Sequence, residues 1–197
     1  MSKPRGRNQN LFNSTHRGVL EAARAMFSTQ GYNVVATQRI AEAAGVSHGS
    51  VFHHFKSKRD LFLAVHQSYE AVFLDRLDAA AYGAPDRWTR FDRYWRAYID
   101  AAQEPEVRMV LLRDGSQVLE AAELRAPGRR TAFNCLAAEV DGLMADGAIP
   151  RRPARALTLL IHGALNVAAQ EIAARPDDAA LRQDLIDEID AFVQRLR

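Results

Sequence analysis

At 197 residues, with 48% hydrophobic and 25% charged side chains, the chain is long enough to bury a core without disulfide or metal staples. Its single cysteine, Cys135, excludes an internal disulfide and fits a reducing compartment. The net charge of +2 is uneven: residues 1–66 carry nine Lys and Arg against three acids, so a basic front end on a mildly acidic body points to a polyanion partner for the front alone.

Strand-like alternation is almost absent and apolar residues recur at helical spacing, so the expected fold is all-α with about nine helices. No apolar stretch approaches the ~18 to 20 residues of a membrane span. The start MSKPRGRNQN has no apolar run behind it and does not read as a signal peptide. The expectation is a cytoplasmic protein with no membrane partner.

A basic arm, residues 1–12 with Lys3, Arg5 and Arg7, precedes the first helix; it suits either a minor groove or a solvated tail. Helix one is expected from about Ser14 to Gln30, with Val19, Ala23 and Phe27 buried and Gly31 as its stop. A short helix comes next over about Gln38–Ala44, capped by Thr37 and ended by Gly45. Ser47 caps another, about His48–Phe55. Ser57 and Asp60 form a capping box that launches a long helix to about Ala80. The Tyr82–Pro85 break precedes a helix over about Asp86–Gln103. A helix to about Arg113 ends at an Asp114–Gly115 turn, and Ala126–Gly128 breaks the chain again. The rest reads as helices from about Arg129 to Asp146, from Pro153 to Ala174 and from Pro176 to Leu196.

Residues 37–51 carry a helix-turn-helix signal. Ala41 is small enough for two helices to cross closely, Gly45 tolerates a tight turn with positive φ, and Val51 fills the space beneath the crossing. With Ala23, Phe27, Gly31-Tyr32, Thr37, Ile40-Ala41, Ala44-Gly45-Val46-Ser47, Gly49-Ser50-Val51-Phe52, Phe55, Ser57-Lys58 and Leu61, this stretch resembles the TetR family of bacterial transcriptional regulators. The resemblance spans about residues 14–66. It implies a helix-turn-helix DNA-binding domain, residues 13–57, followed by a helical ligand-binding and dimerisation domain, residues 58–197. It also implies a homodimer that binds double-stranded operator DNA, acts as a repressor released by a small hydrophobic effector, and places its second short helix in a major groove. An activating or effector-independent regulator is the alternative.

On that helix Val51 and Phe55 share the core face, while Gly49, Ser50 and His53 point away. Phe52 and His54 flank them. Gly49 would allow close backbone approach to bases, and Ser50, His48 and His53 can bond to base edges or phosphate. Thr37, Gln38 and Arg39 fit first-turn contacts or plain capping and solvation. Ser47 stands at the cap, and Lys58 heads the next helix, where it and backbone amides can hold one phosphate. The family usually has tyrosine where this chain has Phe52. The lost hydroxyl leaves His53 and His54 as candidates to replace its phosphate bond.

In the body, Trp88, Phe91, Tyr94, Trp95 and Tyr98 make one helix strongly aromatic. With Phe73, Met109, Leu112 and Phe133, and with Met144, His162 and Asn166, they suit an apolar effector pocket; the same spacing also suits a plain core. Leu160, Ala164 and Ala168, with Leu185, Ile189 and Phe192, suit two helices pairing with their twofold mates. No nucleophile elbow or phosphate-cradling loop is present, so neither an enzyme nor a cofactor is expected. His48, His53 and His54 are spaced five and one apart, so no helical metal pair is expected.

Overall fold

The computed structural model describes the backbone from residue 5 and the side chains from residue 12. The described residues form ten α-helices and one π-helical segment and contain no strand. The chain divides into two compact units at Ser68 and Tyr69.

The first unit holds α1 (Arg5–Gln30), α2 (Thr37–Ala43), α3 (His48–His54) and the start of α4 (Lys58–Ala81). Helix α1 begins at Arg5, not near Ser14. No proline or glycine interrupts residues 7–17, so nothing local stops the helix from extending to its basic end. Arg5 and Arg7 therefore belong to helical backbone, while Lys3 lies outside the described residues. Val19, Ala23 and Phe27 of α1 are buried with Ile40, Ala41, Val51 and Phe55. Phe27 and Phe62 meet edge to face at 5.4 Å. The turns rest on Gly31 (φ 81°) and Gly45 (φ 67°). A Cβ on Gly45 would meet nothing within 4 Å, so backbone conformation rather than crowding selects glycine there.

One cap differs from the sequence expectation. Helix α2 is capped by Ala36, which makes no side-chain cap bond; the Thr37 hydroxyl is instead hydrogen-bonded to His48 Nε2 at 2.9 Å. Ser47 caps α3 as expected, accepting the Ser50 N–H at 3.2 Å. Ser57 Oγ accepts the Asp60 N–H at 3.0 Å.

The second unit contains the rest of α4, α5 (Arg87–Ala101), the π-helical segment Val107–Asp114, α6 (Gly115–Val118), α7 (Ala121–Leu124), α8 (Ala132–Ala145), α9 (Ala154–Ala174) and α10 (Ala179–Gln194). Asp114–Gly115 is not a turn: Gly115 is helical (φ −56°, ψ −47°) and its N–H bonds to Val110 O, five residues back. Asp86, Thr131 and Asp178 cap α5, α8 and α10 with side-chain oxygens. Helix α9 sits centrally, packed by α5, α8, α10 and the π-helical segment. By length and composition it is apolar enough to cross a bilayer, contrary to the sequence expectation. Its Leu157, Ile161, Leu165, Ala168 and Ile172 instead form part of the body core.

Candidate nucleic-acid interface and body cavity

Helix α3 presents the expected outer face. Val51 and Phe55 are buried, while His48, Gly49, Phe52 and His53 are exposed and Ser50 is partly so. Phe52 is 41% exposed, with the His48 ring edge-on to it at 4.9 Å. Gly49 is an ordinary helical residue whose Cβ would meet only Ser47 Oγ, at 4.0 Å. Among the described residues nothing therefore requires glycine at position 49.

Gln38 and Arg39 are exposed on α2. In the free chain Gln38 donates to Glu42 at 3.0 Å and Arg39 to Gln30 at 2.8 Å. Both are weak exposed bonds that a phosphate could replace. Lys58 Nζ lies over the Tyr32 ring, 4.4 Å from its centroid, a cation–π contact that holds the ammonium at the head of α4.

His54 departs from the expected flank position. Its ring packs on α1, 4.2 Å from Phe12 and 5.8 Å from His16. Its Nδ1 is buried without a partner among the described residues. Burial, then repulsion from His16 and His53, lowers its pKa. It is a packing residue held neutral rather than a free cation.

Phe73, Tyr98, Asn166, His162 and Phe133, all expected pocket residues, are linked by pairwise contacts along α9. Phe91 and Trp95 are fully buried, and Trp88 nearly so, in the body core. Trp95 Nε1 donates to Asp92 at 3.2 Å. Phe73 packs edge-on against Tyr98 at 5.2 Å, and Tyr98 Oη donates to Asn166 at 3.0 Å. Burial raises the Tyr98 pKa, so it acts as a neutral donor. His162 meets the edge of Phe133 at 5.4 Å. Burial, then repulsion from Arg125, lowers its pKa from 6.5 to about 4.

That histidine makes a testable contribution to stability. Its folded pKa lies below the ordinary value, so the unfolded chain takes up the proton first. Stability is complete above about pH 6.5 and declines as pH falls towards 4, by on the order of 3 kcal/mol in full. In urea denaturation, wild type should therefore lose stability relative to His162→Gln across this window. A difference that stays flat from pH 7 to 4 would overturn this.

An open cavity of about 440 Å³ lies elsewhere, between the π-helical segment with α6 and the end of α9. Met109 and Leu112 line it. Its other walls are Arg108, Arg113, Ser116 and Gln117 on one side and Gln170, Glu171, Ala173 and Ala174 on the other. Sequence reasoning passes over these residues in favour of the aromatics. The available signal is a pairing at intervals of four: 108/109, 112/113, 116/117. Among the described residues, no group of three or more His, Cys, Asp or Glu is placed to hold a metal ion.

Helix α4 is tied into the body by its carboxylates. Arg130 donates to Asp75 at 2.6 Å and to Asp78 at 2.7 Å. Buried Glu70 accepts the Ala132 N–H at 3.2 Å, with Arg129 at 3.8 Å. Arg90 links Asp78 to buried Glu139 at 3.0 and 2.8 Å.

The expected dimer residues divide. Leu160 (66% exposed) and Ala164 lie on an outer face of α9, where Val167 (59%) joins them. Leu185 and Phe192 are half-buried. Ala168 and Ile189 are instead buried within the body core, where α9 and α10 pack on each other.

Two family models match the chain: "Bacterial regulatory proteins, tetR family" over residues 19–65, and "Tetracyclin repressor-like, C-terminal domain" over 88–196. The transposon Tn10 TetC protein of Escherichia coli is 27% identical over 92 residues, which are 47% of this chain and 46% of that one. The transcriptional repressor AcnR of Corynebacterium glutamicum is 42% identical over 52 residues, 26% of this chain and 28% of that one. The matches thus span less than half the length of these curated relatives. A TetR-family regulator from Pectobacterium atrosepticum superposes with a TM-score of 0.79 at 28% identity, covering 95% of this chain and 96% of that one. FadR of Bacillus subtilis, solved with stearoyl-CoA, shares the fold at a TM-score of 0.69 and 16% identity, covering 91% and 96%.

Proposed function

This chain belongs to the TetR family of bacterial regulatory proteins, and we propose that it is a cytoplasmic, dimeric DNA-binding transcriptional repressor released by a small effector bound in its body. The observation that carries the reading is the outer face of α3, where Gly49, Phe52 and His53 stand exposed on a helix that Val51 and Phe55 anchor from beneath. A helix so presented fits a major groove, with Gly49 letting the backbone approach base edges. Gln38, Arg39 and Lys58 would hold phosphates on either side.

The exposed Leu160–Ala164–Val167 face of α9 supplies the twofold contact. For a C2 dimer to bind, the separation of its two α3 helices must match successive grooves about 34 to 36 Å apart. Helix α4 is continuous from Lys58 to Ala81. A ligand that shifted the body's hold on Asp75 and Asp78 would be felt at Lys58 and would change that separation. Repression and release are then a population shift between two spacings.

Selection of bound DNA from a random pool tests the reading, followed by a salt titration. A palindromic site is expected, with log K falling linearly as log salt rises, at roughly −0.9 for each phosphate neutralised. Failure to enrich any sequence would sink it. Leu160→Glu, at a position exposed in the protomer, is expected to leave the helical content intact and give a monomer in sedimentation. Its operator affinity should fall at least tenfold because one half-site is lost.

A further inference from the structure

We propose that the cavity between the π-helical segment and the end of α9 binds an anionic amphiphile, a carboxylate on an apolar chain being the simplest member of the class. Its size, about 440 Å³, lies within the roughly 300 to 1,000 Å³ range of small-molecule sites. Its wall is divided by chemistry. Met109 and Leu112 from the π-helical segment, with Ala173 and Ala174 from α9, give an apolar floor. Arg108 and Arg113 stand one residue away from that floor along the same segment and bring two guanidinium groups to it.

The charge around the cavity favours an anion. Glu171 is the only acid in the lining, and its carboxylate is already taken by Arg175 one turn on. Arg113 is partly answered by buried Asp114, at 2.8 Å. Arg108 is half-buried, and its guanidinium has no hydrogen-bonding or ion-pair partner among the described residues; its backbone N–H is bonded to Glu104 O. A guanidinium at the lip of an apolar cavity gains a charge-assisted, bidentate bond from a carboxylate that it lacks in the free protein. A neutral alcohol would leave that gain unmade, and a cation would meet two arginines.

The backbone fits such a use. A π-helical turn is less favourable than an α-turn and recurs at functional sites. Here it delivers residues 108, 109, 112 and 113 to one wall. Gln170 Nε2 donates to Leu112 O at 3.4 Å, which fixes α9 against the segment at the cavity floor.

The proposal deepens the effector-responsive reading and depends on it only for the consequence of binding. Isothermal titration of the whole chain with decanoate, decanol and decylammonium, each below its aggregation threshold, tests it. Decanoate is expected to bind most tightly. Arg108→Gln should weaken decanoate about tenfold, the loss of one charge-assisted bond, while leaving decanol unchanged. Ala174→Trp, at an exposed lining position, should plug the cavity and remove decanoate binding without changing the thermal midpoint.

Equal or tighter binding of decanol or decylammonium would overturn the proposal. So would decanoate binding that ignores both substitutions, or no binding at all. If no decanoate binds and Ala174→Trp disrupts self-association, the cavity is filled by a second copy of the chain, and the proposal falls. Operator affinity is measured separately with and without decanoate. Binding without release leaves the ligand class standing and removes the effector reading. Release by some other molecule, with no decanoate binding, does the reverse.

Discussion

Replacing Trp95 by alanine is expected to cost about 3 to 5 kcal/mol, the range for removing a large aromatic from a packed interior. The side chain is wholly buried, its indole N–H is bonded to Asp92, and the Arg96 guanidinium lies 4.3 Å from its ring centroid. All three contacts vanish together, and surrounding Leu, Val and Ile side chains relax only partly into the space. Urea or thermal denaturation of the two proteins measures the loss. The same experiment decides what the aromatic helix is for. A ligand-lining tryptophan faces an unfilled space, so its removal would cost little stability and much affinity. A loss below about 1 kcal/mol would place Trp95 in that second class.

Phe52→Tyr is expected to strengthen operator binding by up to about tenfold. The ring is already exposed on the outer face of α3, so a hydroxyl at its tip reaches solvent without disturbing the core. On the proposed reading it reaches a backbone phosphate and gains one net hydrogen bond of about 1 to 1.5 kcal/mol. Fluorescence anisotropy on the selected site at fixed salt measures the gain; an unchanged or weaker constant would show that position 52 faces no phosphate. The gain depends on the packing of His54 against α1. Of the two histidines whose chemistry suits the missing hydroxyl's bond, His54 packs against Phe12 and His16 and is held neutral. His54→Ala should therefore lower stability and leave operator affinity nearly unchanged, whereas His53→Ala should lower affinity.

Gly49→Ala separates folding from function at the neighbouring position. Room for a Cβ exists, so the free protein should gain about 0.5 to 1 kcal/mol. Operator affinity should drop if bases approach that backbone. Wild-type affinity with raised stability would rule out close approach at Gly49.

Much of this protein is legible in its sequence because the signals are local. Gly45, Ser47 and Val51 lie within seven residues, and each acts on its own turn, cap or crossing. A left-handed φ, a hydroxyl on a free N–H and an apolar side chain beneath a crossing need no distant partner to have their effect. The helical class, the stops at Gly31 and Gly45 and the caps at Ser47 and Ser57 all rest on that short range. The charge asymmetry is also a property of the chain itself.

The features that sequence leaves open depend on which faces meet across long separations. Thr37 has a good cap's chemistry, yet His48, eleven residues on, takes its hydroxyl. The five aromatics of α5 look alike as a string. Only their packing against α8 and α9 makes Phe91 and Trp95 core, and makes Tyr98 a donor to Asn166. Ala168 and Val167 are neighbours in sequence, but one is buried and the other is 59% exposed. The cavity joins residues near 110 to residues near 172, and no periodicity within either segment announces the other. Burial is set by the partner that arrives, and in this chain the partner lies some sixty residues away.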